Sequence, residues 1–278
     1  MSDLPADQDR PLSLFGAFGW ASCAIVLMAF AFAVSRALRP GLATDLVNAN
    51  ICTAFAFSCV AYGVVRLHLP MRTVVDALAL RPVGVLLLLL AVGAGFGTLV
   101  AASWASSLVD HRWPLPEAEI QSLQEAYTFH GTLHRAAFAF ATTALGPITE
   151  EMFFRGALFR ALRRTFSPAV TVLLTAILFA FCHLSPRHVV HVFPAGLVLG
   201  ALRASTGSLV APLLAHMTFN AVTTFQLLSG RVNLTEPEPL VPWWQGLAGL
   251  GGTVAALLLT YGLHRRAERA RAASEGAP

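Results

Sequence analysis

The sequence predicts an all-α fold, a polytopic membrane helical bundle of about eight transmembrane helices with a polar site in the bundle core. Charged residues make up only 12% of the 278 and hydrophobic ones 56%, whereas a soluble domain carries about 25% charge. Mean hydropathy is +0.65. Apolar runs close to the roughly 20 residues needed to cross a bilayer recur between polar breaks. Into one of these runs are set Glu150, Glu151 and Arg155. Charge at that depth costs at least about 2.5 kcal/mol per residue, so three such groups within six positions mark a functional site by default.

The runs follow in order. The first covers about Ser13 to Val34, the second Asn50 to Val65, the third Val83 to Ser106 and the fourth Ala136 to Leu162. The fifth covers Pro168 to Leu184, the sixth His188 to Leu202, the seventh Leu209 to Leu228 and the eighth Trp243 to Leu263. The first has a long polar lead, too long an apolar run and no clear small-residue cleavage site, so it reads as a retained helix and not as a signal peptide. Leu108 to Arg135 and Met71 to Leu80 mix polar and apolar residues at roughly helical spacing and read as amphipathic helices lying at the interface or over a cavity. Domain organisation follows: 1–135 holds the first three helices and an amphipathic segment, 136–230 a catalytic core, 231–264 the last span and 265–278 a basic disordered tail. Trp104, Trp113, Trp243 and Trp244 suit an aromatic interface belt. Cys23, Cys52, Cys59 and Cys182 show no C-x-x-C spacing and read as small core residues. A net charge of +4, spread over turns and tail, argues against nucleic acid as a partner.

Arginine sets the expected orientation. The N-terminal segment, the even-numbered turns and the tail carry Arg10, Arg66, Arg72, Arg81, Arg160, Arg163, Arg164, Arg203, Arg265, Arg266, Arg269 and Arg271. The odd turns carry Arg36, Arg39, Arg112, Arg135, Arg187 and Arg231. This excess predicts both termini in the cytoplasm.

Three polar pairs carry the chemistry. Glu151 and Arg155 are i and i+4, the spacing of a helical ion pair. Glu150 is turned about 100° away and needs another partner. His183, in Phe179-x-x-x-His183, supplies one: Glu150 and His183 lie about equally far from the turn near Thr165 to Ser167, at roughly 24 Å along antiparallel helices. His216 and Asn220 are again i and i+4 and share one face of the seventh run. Gly146-Pro147, just before the acidic pair, predicts a kink or helix restart. Together these groups suggest amide hydrolysis within the membrane, with a water held between Glu150 and His183 and an oxyanion met by His216 and Asn220. Taken alone, each pair would be a helix-packing device, since amides and imidazoles bind helices together in lipid. The set is what points to a site.

Glu150-Glu151-x-x-x-Arg155, Phe179-x-x-x-His183 and His216-x-x-x-Asn220, in that order on separate apolar runs, resemble the motifs of the CPBP intramembrane proteases. That family includes type II CAAX prenyl endopeptidases and bacteriocin-processing and immunity proteins. The resemblance covers about Phe140 to Phe225. It implies that Glu150 and His183 activate water, that His216 and Asn220 stabilise the transition state, and that Glu151, Arg155 and Phe179 support the site. It implies an integral, multi-pass protein acting on a membrane-associated protein or peptide within the lipid bilayer; the use of arginine without lysine and the compact eight-run form fit a bacterial inner membrane. No cofactor is expected. The rival is zinc on Glu150, His183 and His216, but H-E-x-x-H is missing and Asn220 is a poor zinc ligand. His130 with His134 and His188 with His191 have metal-compatible spacing but sit at the ends of runs, where interfacial histidines are common. A non-catalytic scaffold, immunity protein or transporter with a polar packing core is the alternative function.

Overall fold

The computed structural model describes residues 9–42, 45–231 and 239–275. Within them lie ten helices: α1 (Leu14–Leu38), α2 (Leu46–His68), the single turn α3 (Val74–Ala77), α4 (Val85–Arg112), α5 (Glu117–Ala126), α6 (131–162), α7 (Pro168–Cys182), α8 (Pro186–Thr206), α9 (Val210–Leu228) and α10 (Trp243–Glu275). The eight apolar runs correspond one to one to α1, α2, α4 and α6 through α10. By length and composition, α1, α2, α4, α8 and α10 are apolar enough to cross a membrane. α7 has only 15 residues, and α6 and α9 carry the polar motifs. The outer surface is apolar, with Phe15 87%, Val85 72% and Leu258 66% exposed, as lipid-facing positions require.

Turns of the same parity meet, which supports the alternation of the spans. At one end Arg10 N–H donates to the His68 carbonyl at 2.7 Å and Leu209 N–H to the Ala79 carbonyl at 2.9 Å. There too Asp9 pairs with Arg72 at 2.7 Å, and the Thr165 hydroxyl donates to the Leu12 carbonyl at 3.1 Å. At the other end Arg187 pairs with Asp110 at 2.7 Å, His134 lies 3.5 Å from Asp45, and Val241 N–H donates to the Ser107 hydroxyl at 3.2 Å. Trp113, Trp243 and Trp244 are exposed at this second end.

Three expectations need correction. The segment Met71 to Leu80 is no interfacial helix: it holds one turn, α3, and then buries Ala77, Leu78 and Ala79. Leu78 packs so tightly on Gly156 that a Cβ there would lie 2.6 Å from Leu78 Cδ2. Leu108 to Arg135 divides among the end of α4, the amphipathic α5 and the start of α6, because Pro114 and Pro116 interrupt it. The tail continues α10 as helix to Glu275, since Ala, Arg and Glu are strong helix formers; residues 276–278 lie outside the described residues.

Two packing features position the site. An aromatic cluster joins α2, α6 and α7, with ring centroids 5.6 Å apart for Phe57 and Phe153 and 5.2 Å for Phe154 and Phe179. On the other side α4 lies close against α9 and α10 at glycines. A Cβ on Gly95 would clash with the Ala215 carbonyl oxygen, and one on Gly97 would lie 2.7 Å from Thr253 Oγ1 and 2.8 Å from the Gly249 carbonyl oxygen. Small residues permit such backbone approach in lipid, where dispersion and not hydrophobicity holds helices together. Gly97→Leu should therefore destabilise the bundle by about 1–3 kcal/mol or more, read as a lowered thermal midpoint in detergent. Gly93→Leu, where a Cβ meets nothing within 4 Å, should leave that midpoint in place.

Candidate active site

α6 does not stop at Gly146-Pro147, as a restart would require; it widens. Ala141–Leu145 and Met152–Leu158 are π-helical turns on either side of Gly146–Glu151. Gly146 N–H bonds to the Ala141 carbonyl, five residues back. A π turn inserts a residue into the ladder, so the side chains beyond it are rotated relative to a regular helix, and such turns concentrate at functional sites. Here they accommodate the proline and bring both glutamates inward.

Glu151 and Arg155 are fully buried and paired at 2.8 Å between Glu151 Oε1 and Arg155 Nη1, as their spacing predicts. The same carboxylate oxygen accepts from His216 Nδ1 at 3.0 Å, a contact between α6 and α9 that spacing along one helix cannot reveal. Arg155 Nη2 donates to the Gly196 carbonyl on α8 at 3.0 Å, and its guanidinium lies 4.4 Å from the ring centroid of Phe179 on α7. Phe179 therefore supports the pair through its π face. Arg203, counted among the loop arginines, is instead buried. Its Nε donates to the Arg155 carbonyl at 2.8 Å and its guanidinium lies 5.1 Å from the Phe159 ring centroid.

Glu150, Phe179, His183, His216 and Asn220 all line one cavity of about 230 Å³. The depth matching of Glu150 and His183 across the α6–α7 hairpin thus leads to a shared space. His183 Nδ1 lies 2.8 Å from the Phe179 carbonyl oxygen; a carbonyl can only accept, so Nδ1 is the donor, and in the neutral ring Nε2 is the acceptor. His216 Nε2 lies 3.8 Å from Glu150 Oε2, beyond hydrogen-bond reach. Asn220 Nδ2 donates to the Thr142 carbonyl at 2.9 Å. His216 therefore stands between the two glutamates, as well as sharing a helical face with Asn220.

Other lining residues carry no motif. Gly95 and Thr98 come from α4, and His188, His191, Val192 and Ala195 from α8. His191 Nδ1 lies 3.3 Å from Ser106 Oγ. The histidine pair on α8 was legible in spacing but was read as interfacial; the glycine of α4 carries no chemical signal and enters only through packing. His130 and His134 stack on each other with centroids 5.8 Å apart. Among the described residues, no three His, Cys, Asp or Glu side chains converge as metal ligands.

Breaking the buried pair from one side leaves a charge without its partner in a space with no water to solvate it. Arg155→Met should cost about 3–5 kcal/mol, read as loss of folded protein in detergent. Adding Glu151→Gln should recover part of that loss.

Comparison with known proteins adds the family. Residues 132–222 match the family model described as Type II CAAX prenyl endopeptidase Rce1-like. No curated protein and no solved structure matches the chain. The matched segment begins with α6 and ends within α9, and so contains all three motifs and both π turns. The motif resemblance and the match fall on the same segment, about a third of the chain, which is similar to the Rce1-like type II CAAX prenyl endopeptidases.

Proposed function

We propose that this integral membrane protein is an endopeptidase that hydrolyses a peptide bond of a membrane-associated protein or peptide with a water activated by Glu150 and His183. The family match supports membrane endopeptidase activity. The observation that carries the residue roles is one cavity lined by a carboxylate, an amide and four imidazoles, among them the motif residues His183 and His216, between apolar helices.

In this reading a water donates one hydrogen to Glu150 and the other to the lone pair on His183 Nε2, which aims its own lone pair at the scissile carbonyl carbon. Glu150 takes the proton as the water oxygen adds to carbon. The tetrahedral oxyanion meets the Nε2–H of His216 as an imidazolium, whose Nδ1–H goes to Glu151, and the second amide hydrogen of Asn220, whose first is held by the Thr142 carbonyl. Glu150 then passes its proton to the leaving nitrogen, and the C–N bond breaks to give a carboxyl and an amine. Glu151 acts at one remove, by accepting from His216 Nδ1 and so fixing the ring, much as a buried carboxylate orients a catalytic histidine elsewhere.

A zinc ion would take Glu150, His183 and His216. The Nδ1 contacts of His183 and His216 leave both Nε2 atoms available to such an ion, but among the described residues no three His, Cys, Asp or Glu side chains converge closely enough to hold one. The proposed mechanism uses no metal, and cleavage should persist in strong chelator. Loss in chelator with recovery on added zinc would replace this mechanism by a metal one.

The substrate reading follows from the family and the topology. The matched family acts, by its description, on CAAX tails; in a bacterial inner membrane a leader peptide or a C-terminal sorting tail fits the same site. The arginine excess supports cytoplasmic termini, with the burial of Arg203 removing one residue from that side of the count. His183 closes α7 at the end where α5 lies, so the site would open away from the cytoplasm. Accessibility of tags at both termini tests the orientation. Glu150→Gln and His183→Ala should each lower cleavage by about 10²-fold or more at normal membrane levels, read by mapping protein termini in cells with and without each substitution. An unchanged map in both variants would favour a scaffold.

A further inference from the structure

Asn220 is held by a backbone carbonyl, and the sequence explains why that carbonyl is free. In a regular helix every interior carbonyl accepts from an N–H four residues on, and in a π turn from one five residues on. Gly146 N–H goes to Ala141, which puts the ladder in the five-residue register. The next bond in that register would run from residue 147 to the carbonyl of Thr142. Residue 147 is proline and has no N–H to give. A buried carbonyl without a partner is costly, and the Thr142 carbonyl finds one in Asn220 Nδ2 at 2.9 Å.

A second contact fixes the same spot. The Thr142 hydroxyl donates to the Phe138 carbonyl at 2.9 Å, so in its 3.0 Å contact with Thr224 Oγ1 the Thr224 hydroxyl is the donor. Thr224 lies one turn beyond Asn220 on α9 and is buried. Two side chains of α9 thus grip one residue of the π turn, one through its carbonyl and one through its hydroxyl.

We infer that Pro147 is a positioning residue for Asn220: by withholding an N–H from the Thr142 carbonyl, it creates the acceptor that orients the amide in the cavity, with Thr224 as the clamp that keeps α9 in register. The consequence for turnover rests on the assignment of Asn220 to the oxyanion. Placement of the amide does not.

The test labels the side-chain nitrogen of asparagine in the full-length protein in nanodiscs. The chain has four asparagines, Asn48, Asn50, Asn220 and Asn233, and Asn220→Ala identifies the relevant pair of amide signals. Pro147→Ala supplies the missing N–H. It should move the Asn220 amide protons upfield as their acceptor is taken, while the Asn48 and Asn50 signals stay and report a folded protein. Turnover of a fluorogenic peptide built on the mapped cleavage site should fall about tenfold in kcat with KM unchanged, a fraction of the loss expected from removing an oxyanion donor. Pro147→Ala should add nothing in an Asn220→Ala background. If Pro147→Ala does not accumulate, Thr224→Val should shift the same signals and Thr224→Ser should restore them. Asn220 signals that stay in place in a folded Pro147→Ala protein, or losses that add in the double variant, would overturn the inference. Cleavage that survives Glu150→Gln would instead sink the enzymatic reading and leave the amide placement standing.

Discussion

One carboxylate oxygen, Glu151 Oε1, accepts from Arg155 on its own helix and from His216 on another. Everything around the cavity depends on that shared acceptor. Arg155 extends the network to the Gly196 carbonyl of α8 and to the ring of Phe179 on α7, so four helices are tied through two charged side chains that are both fully buried. A pair of this kind gives little net stability against an apolar replacement, but it penalises any arrangement that separates its members. Its value here is placement: it fixes the His216 ring while leaving the neighbouring glutamate, one residue earlier, at the cavity.

The division of labour between adjacent glutamates follows from helix geometry. Successive residues point about 100° apart, so one carboxylate can be consumed by the protein while the next lines the cavity. The flanking π turns adjust that angle, and on both sides a carbonyl accepts from a side chain of a neighbouring helix. Thr142 holds Asn220 and Arg155 holds Arg203.

Much of this was legible in the sequence because it is periodic. The eight runs, the Glu151–Arg155 pair and the matched depth of Glu150 and His183 all follow from rise and turn per residue, and the structure has each of them. The path of Met71 to Leu80 was not legible, since a short amphipathic segment reads alike whether it lies on lipid or plugs a gap beside Gly156. Nor was the contribution of α4, because Gly95 and Thr98 reach the cavity only through a close crossing with α9 that has no signature in either helix. Proline at 147 announced an irregularity, but a kink and a widened turn share the same local sequence. Arg203 misled for a related reason: arginine near a helix end is expected to reach for water, and here it is buried and donates to the Arg155 carbonyl one helix away.

The account stands or falls on where a substrate carbonyl sits. A structure of the Glu150→Gln protein with an uncleaved peptide is the most direct measurement. The account predicts the scissile carbonyl oxygen within hydrogen-bond distance of Asn220 Nδ2 and His216 Nε2, with its carbon on the side of residue 150 and His183. A peptide bound elsewhere on the bundle, with the cavity filled by side chains, would contradict it.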